Sequence, residues 1–322
     1  MRKLTSFLAR VLCAWAVFIV AASAAWPEKP LTIVVPFTAG GITDVMARLV
    51  AEGMSTRLKQ TVIVENKPGG NTFIGLETVS RAPADGYTLF LHQTATAAAP
   101  VITKDVKIDP AKVLAPVGLV ATSEVVLVGS GKMPARTWQE FVAYSKANPK
   151  TASYGYAGGY LQLLGDYLMK RDNLDAVPVL YRGSADVQQA LLGGTLSVGI
   201  TTLSNVEQFL KDGRLNVLAV SGKNRAPSLP NVPTINEIGF PEIQAENITF
   251  YGLAAPAGTP KAVIDQLNAV ISEVVKEPAY QRRIAQFDAA AASSTPEQMG
   301  EIASNTVRKW GDIARKIGYK PQ

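Results

Sequence analysis

The first clear pattern along the chain is a short apolar run at residues 31–35, rich in β-branched side chains and without polar alternation. Such a run reads as a strand covered on both faces, as in a parallel sheet. Pro36 lacks a ladder N–H and ends it. Gly40 and Gly41 let the backbone turn through positive φ, and Thr43 or Asp44 can cap the helix that follows. Met46, Leu49, Val50 and Met54 form the apolar stripe of that helix, leaving Arg48 and Arg57 to water. Strand, glycine turn and helix start together aim unpaired backbone N–H groups at one point, which suits an anion. They are equally the ordinary first βα turn of an α/β domain.

The rhythm repeats. Residues 61–64 read as a strand running into a Pro/Gly-rich loop at 65–72, followed by a helix over 74–82. A turn at Pro83-Ala84-Asp85-Gly86 leads to a strand at 87–91 and a loop at 92–96. Three successive strands therefore end in small or polar loops, which in a parallel sheet line the edge where α/β proteins place ligands. Residues 117–128 are apolar without alternation, and Thr137 to Glu140 has capping-box form, opening a helix to about 147. This restart sets a domain boundary near Val126.

Beyond it come a strand end and glycine loop at 152–160, a helix over 161–169, a strand at 177–181 and a helix from Arg182-Gly183-Ser184 to Leu192. A strand at 197–200 ends in Thr201, Thr202, Leu203, Ser204 and Asn205. Residues 215–220 are a further strand, 226–241 a proline-rich surface segment, and 248–254 resume strand character. Thr259-Pro260 and Thr295-Pro296 open two terminal helices, with Pro at the first helical position. Those helices need a surface to cover, and the first domain's sheet is the expected one. The chain thus builds domain 1 from 26–126 plus 249–322 and domain 2 from 127–248. The second half repeats the architecture of the first without repeating its sequence.

Residues 1–25 stand apart. Arg2 and Lys3 precede an apolar core, and Ala22-Ser23-Ala24 supplies small residues for cleavage, the pattern of a secretory signal peptide. No later segment approaches the ~20 apolar residues of a membrane span. Cys13, the one cysteine, lies inside the signal, so the exported chain has no disulfide and must rely on a large core. Cleavage takes 32 basic residues to 29 against 26 acidic ones, a net charge of about +3. The basic residues are scattered, which argues against nucleic acid.

Catalytic chemistry is scarce. A lone histidine, His92, and no thiol cannot assemble a Cys/His metal site. Ser184 lacks a nucleophile-elbow context, and no glycine loop matches a nucleotide motif. No catalytic residue, metal or cofactor is expected, and His92 reads as a pocket-edge or structural residue. What remains are donors: Thr38, Thr43, Thr72, Gln93, Thr94, Thr96, Thr201, Thr202 and Ser204, with backbone N–H groups near Gly40-Gly41 and Gly158-Gly159. Such groups can hold a carboxylate without a formal positive charge. Asp44 has two readings, completing the helix dipole or meeting an ammonium or hydroxyl of the ligand. Arg182 either pairs with a carboxylate or, the favoured reading, caps a strand end.

The ordered set Pro36-Phe37-Thr38-Ala39-Gly40-Gly41-Ile42-Thr43-Asp44, Val64-Glu65-Asn66-Lys67-Pro68-Gly69-Gly70, Asp85-Gly86-Tyr87-Thr88-Leu89, Leu180-Tyr181-Arg182-Gly183-Ser184, Pro233 to Gly239 and Ala255 to Pro260 resembles the Bug, or TctC-type, family of extracytoplasmic solute-binding proteins of tripartite tricarboxylate transporters. The resemblance runs from about Trp26 to the C-terminus. It implies an α/β, type II periplasmic binding protein: two α/β lobes joined by hinge strands, closing on a small carboxylate in the cleft between them. It further implies a periplasmic, non-enzymatic protein whose partner is a set of membrane permease subunits; a sensor signalling to a receptor kinase, or an exported enzyme on the same fold, are the alternatives. A monomer is expected.

Carried over by position, the ligand loops are Phe37, Thr38, Gly40, Gly41, Thr43 and Asp44; Asn71, Thr72 and Phe73; Gln93 and Thr94; Tyr156, Gly158 and Gly159; and Thr201, Thr202 and Ser204. The chain departs from the family at Thr72-Phe73, usually Gly-Asn, at Gly159, usually Ser, and at Phe250, usually Trp. A hydroxyl is lost while Phe73 and Tyr156 add aromatic surface, so the expected ligand carries an aromatic or apolar portion beside its carboxylate.

Overall fold

The computed structural model describes residues 26–104, 106, 108–149, 151–181, 183–203, 206–226, 228–243, 249–287 and 289–321. The signal segment, Arg182 and Ser204 lie outside them. In chain order the elements are β1 (Leu31–Val35), α1 (Ile42–Leu58), β2 (Val62–Asn66), α2 (Phe73–Ser80), β3 (Thr88–Gln93), α3 (Thr94–Ile102), α4 (Pro110–Val113) and β4 (Leu114–Ser123). There follow β5 (Val126–Ser130), α5 (Trp138–Ala147), β6 (Ser153–Tyr156), α6 (Gly159–Arg171), β7 (Val177–Leu180), α7 (Ser184–Gly193), β8 (Val198–Thr201) and β9 (Leu215–Val220). The chain closes with β10 (Thr249–Pro256), α8 (Lys261–Val274), α9 (Pro278–Ala285), β11 (Ala289–Ala291) and α10 (Pro296–Lys316).

Two mixed sheets result, ordered β11-β4-β10-β3-β1-β2 and β7-β6-β8-β5-β9. In the first, β1 runs parallel to β2 and β3, while β10 is antiparallel to β3 and β4. Its register sets Gln93 opposite Tyr251 and Ser123 opposite Thr249, so the carboxyl ends of β1 to β4 share one edge. In the second, Val126 faces both Thr201 and Val220, so the start of β5 shares an edge with the ends of β8 and β9. Only Glu124 and Val125 separate β4 from β5. That short crossing turns the two carboxyl-end edges toward each other, the two-lobed arrangement of a periplasmic binding protein. Ser221 stitches the crossing, its N–H donating to the Val125 carbonyl at 2.9 Å and its Oγ accepting from the Val125 N–H at 2.8 Å.

The edge strands β2 and β7 are partly exposed, while the interior strands of each sheet are buried on both faces. Under the first, Leu31, Ile33 and Val35 meet Met46, Val50 and Met54 of α1 and Leu267 and Ile271 of α8. Over it, Val34, Phe90 and Phe250 meet Leu76 and Val79 of α2 and Met299 of α10. Strand β10, buried along its length, lies between β3 and β4 and carries no charge, as a central strand requires.

Several features differ from the sequence expectations, each for a tertiary reason. The apolar stretch 117–128 is two strands, broken where Glu124 starts the crossing. No loop follows β3: helix α3 begins at Thr94 directly after the strand. Neither Thr43 nor Asp44 caps α1, whose N-cap is Gly41. Pro260 is an N-cap position rather than the first helical residue, and Thr259 Oγ1 donates back to the Pro256 carbonyl at 2.7 Å. The proline-rich segment is not confined to the surface: Phe240 is fully buried, edge-on to Trp138 and Tyr167. The short α4, α9 and β11 carry too few periodic residues to announce themselves.

The largest difference concerns α10. Its first half covers the first sheet through Met299, Ile302, Ala303 and Val307. Its second half leaves that sheet, placing Trp310, Ile313 and Ala314 in the core of the second lobe. Trp310 sits edge-on to Tyr160 of α6 at 5.8 Å, and Lys170 Nζ donates to the Ile317 carbonyl at 2.6 Å. The helix is therefore a third link between the lobes. Trp310→Ala removes a fully buried side chain from this joint and is expected to cost ~3–5 kcal/mol of unfolding free energy in denaturant titration. A loss below ~1 kcal/mol would show that the second half of α10 is not anchored.

Candidate functional site

The loop after β1 is shaped by Asp44. Its carboxylate accepts from the Gly40 N–H, from Arg48 Nε and from Asn66 Nδ2, each at 3.0 Å. Asn66 Nδ2 also donates to the Phe37 carbonyl at 3.0 Å. Burial alone would raise this carboxyl, but the hydrogen bonds from Arg48, Gly40 and Asn66 outweigh it and hold the pKa below the usual carboxylate range. Asp44 is 3% exposed, and these bonds commit both of its oxygens to the protein's own loop. Phe37 is half-buried against the first core, while Thr38, Gly40 and Gly41 remain exposed and Thr43 is buried.

The loop after β2 is strained. Gly69, Gly70, Asn71 and Thr72 all have positive φ, at 118°, 57°, 49° and 79°. A β-branched residue in the left-handed region is an outlier that persists only where surrounding structure enforces it, commonly at a ligand site. Thr72 is 5% exposed, yet its hydroxyl has no hydrogen-bond partner. Asn71 Nδ2 donates to Thr103 Oγ1 at 3.1 Å, just past the end of α3. Phe73 opens α2 and packs one side against the first lobe's core.

At the end of β3, Gln93 and Thr94 are buried, but Thr94 Oγ1 is already used, accepting from the Phe250 N–H at 3.0 Å. Thr96 Oγ1, fully buried, has no partner. His92 is buried edge-on to Phe250 at 5.3 Å, its Nδ1 also without a partner. Burial pushes its pKa down to about 4, so the ring is neutral and structural at neutral pH.

From the second lobe, Tyr156 lies buried at the end of β6, stacked on Tyr154 at 5.9 Å. Burial, reinforced by Asp166 and Tyr319, pushes its hydroxyl up to about 12. Gly158, at φ +103°, leaves open space where a Cβ would stand. Gly159 does not: a Cβ there would lie 2.3 Å from Ile102 Cδ1 at the end of α3. The structure thus brings Asn71 and Gly159 to the same end of α3 from opposite lobes. Thr201, 1% exposed at the end of β8, has an unpartnered hydroxyl, and Thr202 is half-buried. Sequence reading missed Tyr160, whose hydroxyl meets Thr249 Oγ1 at 2.7 Å across 89 residues, and Asn66. A polar residue ending an apolar strand was the available signal for Asn66; Tyr160 had none.

One feature unites these loops. Helices α1, α2, α3, α6 and α7 all start at the facing edges, and none has a side-chain cap. Of the helices that start elsewhere, α4, α5 and α10 are capped by Asp109, Thr137 and Thr295, the last two as full capping boxes, while α8 and α9 have no side-chain cap. Uncapped first-turn N–H groups carry partial positive charge and bind anions.

The family model for the tripartite tricarboxylate transporter family receptor, TctC, matches residues 46–319. The chain belongs to this receptor family. Among its relatives, BugT of Bordetella pertussis is 30% identical over 97% of this chain and 99% of its own length. The periplasmic binding protein BugD superposes with TM-score 0.78 at 32% identity, over 92% of this chain and 100% of that one. A Rhodopseudomonas palustris protein solved with adipate gives TM-score 0.80 at 27% identity, over 92% and 100%. MatC of the same organism, solved with malate, gives 0.75 at 26%, over 89% and 99%. The TctC family is one of solute-binding receptors rather than enzymes.

In this TctC-family chain the buried neutral His92 makes a pH prediction. Its folded pKa lies below the unfolded 6.5, so the unfolded state takes the proton first. The stability it contributes is complete above pH 6.5 and is lost as pH falls toward 4, roughly 3 kcal/mol in all. His92→Leu should flatten that part of the stability–pH curve measured by denaturant titration; an unchanged slope would place the titration elsewhere.

Proposed function

We propose that the chain is exported through its signal segment to the periplasm, captures a small carboxylate between its lobes, and delivers it to the permease subunits of a tripartite tricarboxylate transporter. It acts as a monomer and without cofactor or metal. The lobes are residues 26–126 plus 249–322 and residues 127–248, with the end of α10 from Trp310 onward packed on the second lobe, and closure is a hinge rotation at the crossings near Val126 and Thr249. The observation that carries this reading is the convergence of five uncapped helix starts with buried, unpartnered hydroxyls at Thr72 of one lobe and Thr201 of the other. Donors without acceptors on both sides of a cleft suit a ligand rich in acceptors, and a carboxylate has two such oxygens. The relatives solved with adipate and malate support a dicarboxylate.

Ligand contacts are assigned to Thr38, Gly41, Asn71, Thr72, Phe73, Gln93, Tyr156, Gly158, Thr201 and Thr202, with Ser204 added from the sequence. Phe37, Gly40, Asp44, Thr94 and Gly159 shape the site instead, because their groups are engaged within the protein. Phe73, half-buried, leaves part of its ring for the ligand's apolar portion.

The test is a thermal-shift screen of refolded mature protein against dicarboxylates, tricarboxylates, acidic amino acids and aromatic acids. A ligand at 100 times its dissociation constant adds ~2.7 kcal/mol, a shift of several degrees. Thr72→Val and Thr201→Val should leave the ligand-free protein as stable or slightly more so, since an unpartnered buried hydroxyl is lost, while weakening the ligand by about tenfold each. Phe73→Asn should weaken ligands with an apolar body more than malate. No shift with any carboxylate would sink the proposal.

A further inference from the structure

A cavity of about 510 Å³ lies beside the crossing of Glu124 and Val125, and none of the described candidate ligand residues lines it. It sits on the flank where β11 and β4 edge the first sheet and β9 edges the second, away from β1, β2 and β6. Its volume falls within the range of small-molecule sites. Its apolar walls come from both lobes: Ala285, Ala289 and Ala290 from one, Val126, Leu203 and Val220 from the other.

On the polar side of the cavity Glu124 is exposed, and its carboxylate is bound to no described side chain. The Glu124 carboxylate rests against Gly222, where a Cβ would stand 2.5 and 2.7 Å from its two oxygens, so a glycine is what admits it. Among the described residues no donor or cation meets that carboxylate. Two basic side chains share the wall, yet each is engaged: Arg225 holds Glu237 through Nε and Nη2, both at 3.0 Å, and Lys223 has a partner of its own. The Glu124 residue as a whole is exposed, but partial desolvation by the cavity wall raises its carboxyl pKa.

We propose that this cavity is a second ligand site, distinct from the carboxylate cleft, which takes a small organic ammonium compound with its cation on Glu124 and its apolar body against Val126, Val220 and Ala289. Because the walls belong to different lobes, such a ligand touches both sides of the crossing.

Isothermal titration of the mature chain with benzylammonium and n-butylammonium tests it, with benzyl alcohol and benzoate as controls. At least one ammonium probe should bind saturably at one site per chain, and neither control should. Glu124→Gln should weaken binding by about tenfold or more. Ala290→Trp, at an exposed position of β11, should block the cavity while leaving the thermal midpoint close to wild type. Absence of saturable binding by both ammonium probes, binding unchanged in both variants, or preference for benzoate would each overturn the proposal. None of these outcomes depends on the carboxylate cleft, so this site and that one stand or fall separately.

Discussion

Every backbone N–H taken out of water needs an acceptor, and the first turn of a helix cannot supply its own. In this chain that constraint is met by side chains at α4, α5 and α10, and left open at the five helices that start on the cleft as well as at α8 and α9. What sets the five apart is where they start. Parallel strands bring the helix starts to one edge in each lobe, and the two-residue crossing turns those edges face to face. The strained backbone at Thr72 keeps one hydroxyl inward, while Asp44, the carboxylate nearest the first helix start, is turned back onto its own loop by Gly40, Arg48 and Asn66. An acidic group that pointed into the cleft would have competed with an anionic ligand; this one organises the loop instead.

What could be read from the sequence was what is local. The strand–loop–helix rhythm, the capping box at Thr137, the helix start at Thr295-Pro296 and the glycine turns depend on neighbours a few residues away, and they stand where expected. The failures are long-range. Thr94 and Thr96 look like loop residues because they are polar, yet they are buried at the start of α3, and Thr94 is held there by Phe250, 156 residues away. Phe240 sits among prolines, so nothing nearby signals that it seals a core of Trp138 and Tyr167. For the site, residue type was legible and residue condition was not. That a threonine lies at a strand end follows from the sequence; that its hydroxyl is orphaned at Thr72 and occupied at Thr94 follows only from the packing.

The links between the lobes differ in kind. The crossing at Glu124 and Val125 is short and stitched by Ser221, which suits it to be the pivot of the proposed closure. Helix α10 is long and amphipathic, with its apolar stripe divided between two cores, so any rotation about the pivot must be absorbed along it. Tyr160, hydrogen-bonded to Thr249 where β10 begins, lies between these elements and touches Trp310 as well. The proposed closure therefore involves a small aromatic joint in addition to the strands.

The two ends of the folded chain ride on different bodies. Trp26 is tied to the first lobe, its indole donating to the Asp85 carbonyl at 3.0 Å and its carbonyl accepting from Gln266 at 3.0 Å. At the other end Tyr319 packs against the core of the second lobe, next to the Lys170 bond to Ile317. A donor and an acceptor fluorophore joined to the two ends thus report the separation of the lobes themselves, and an optical sensor for the bound solute can be built on this scaffold without interrupting either sheet.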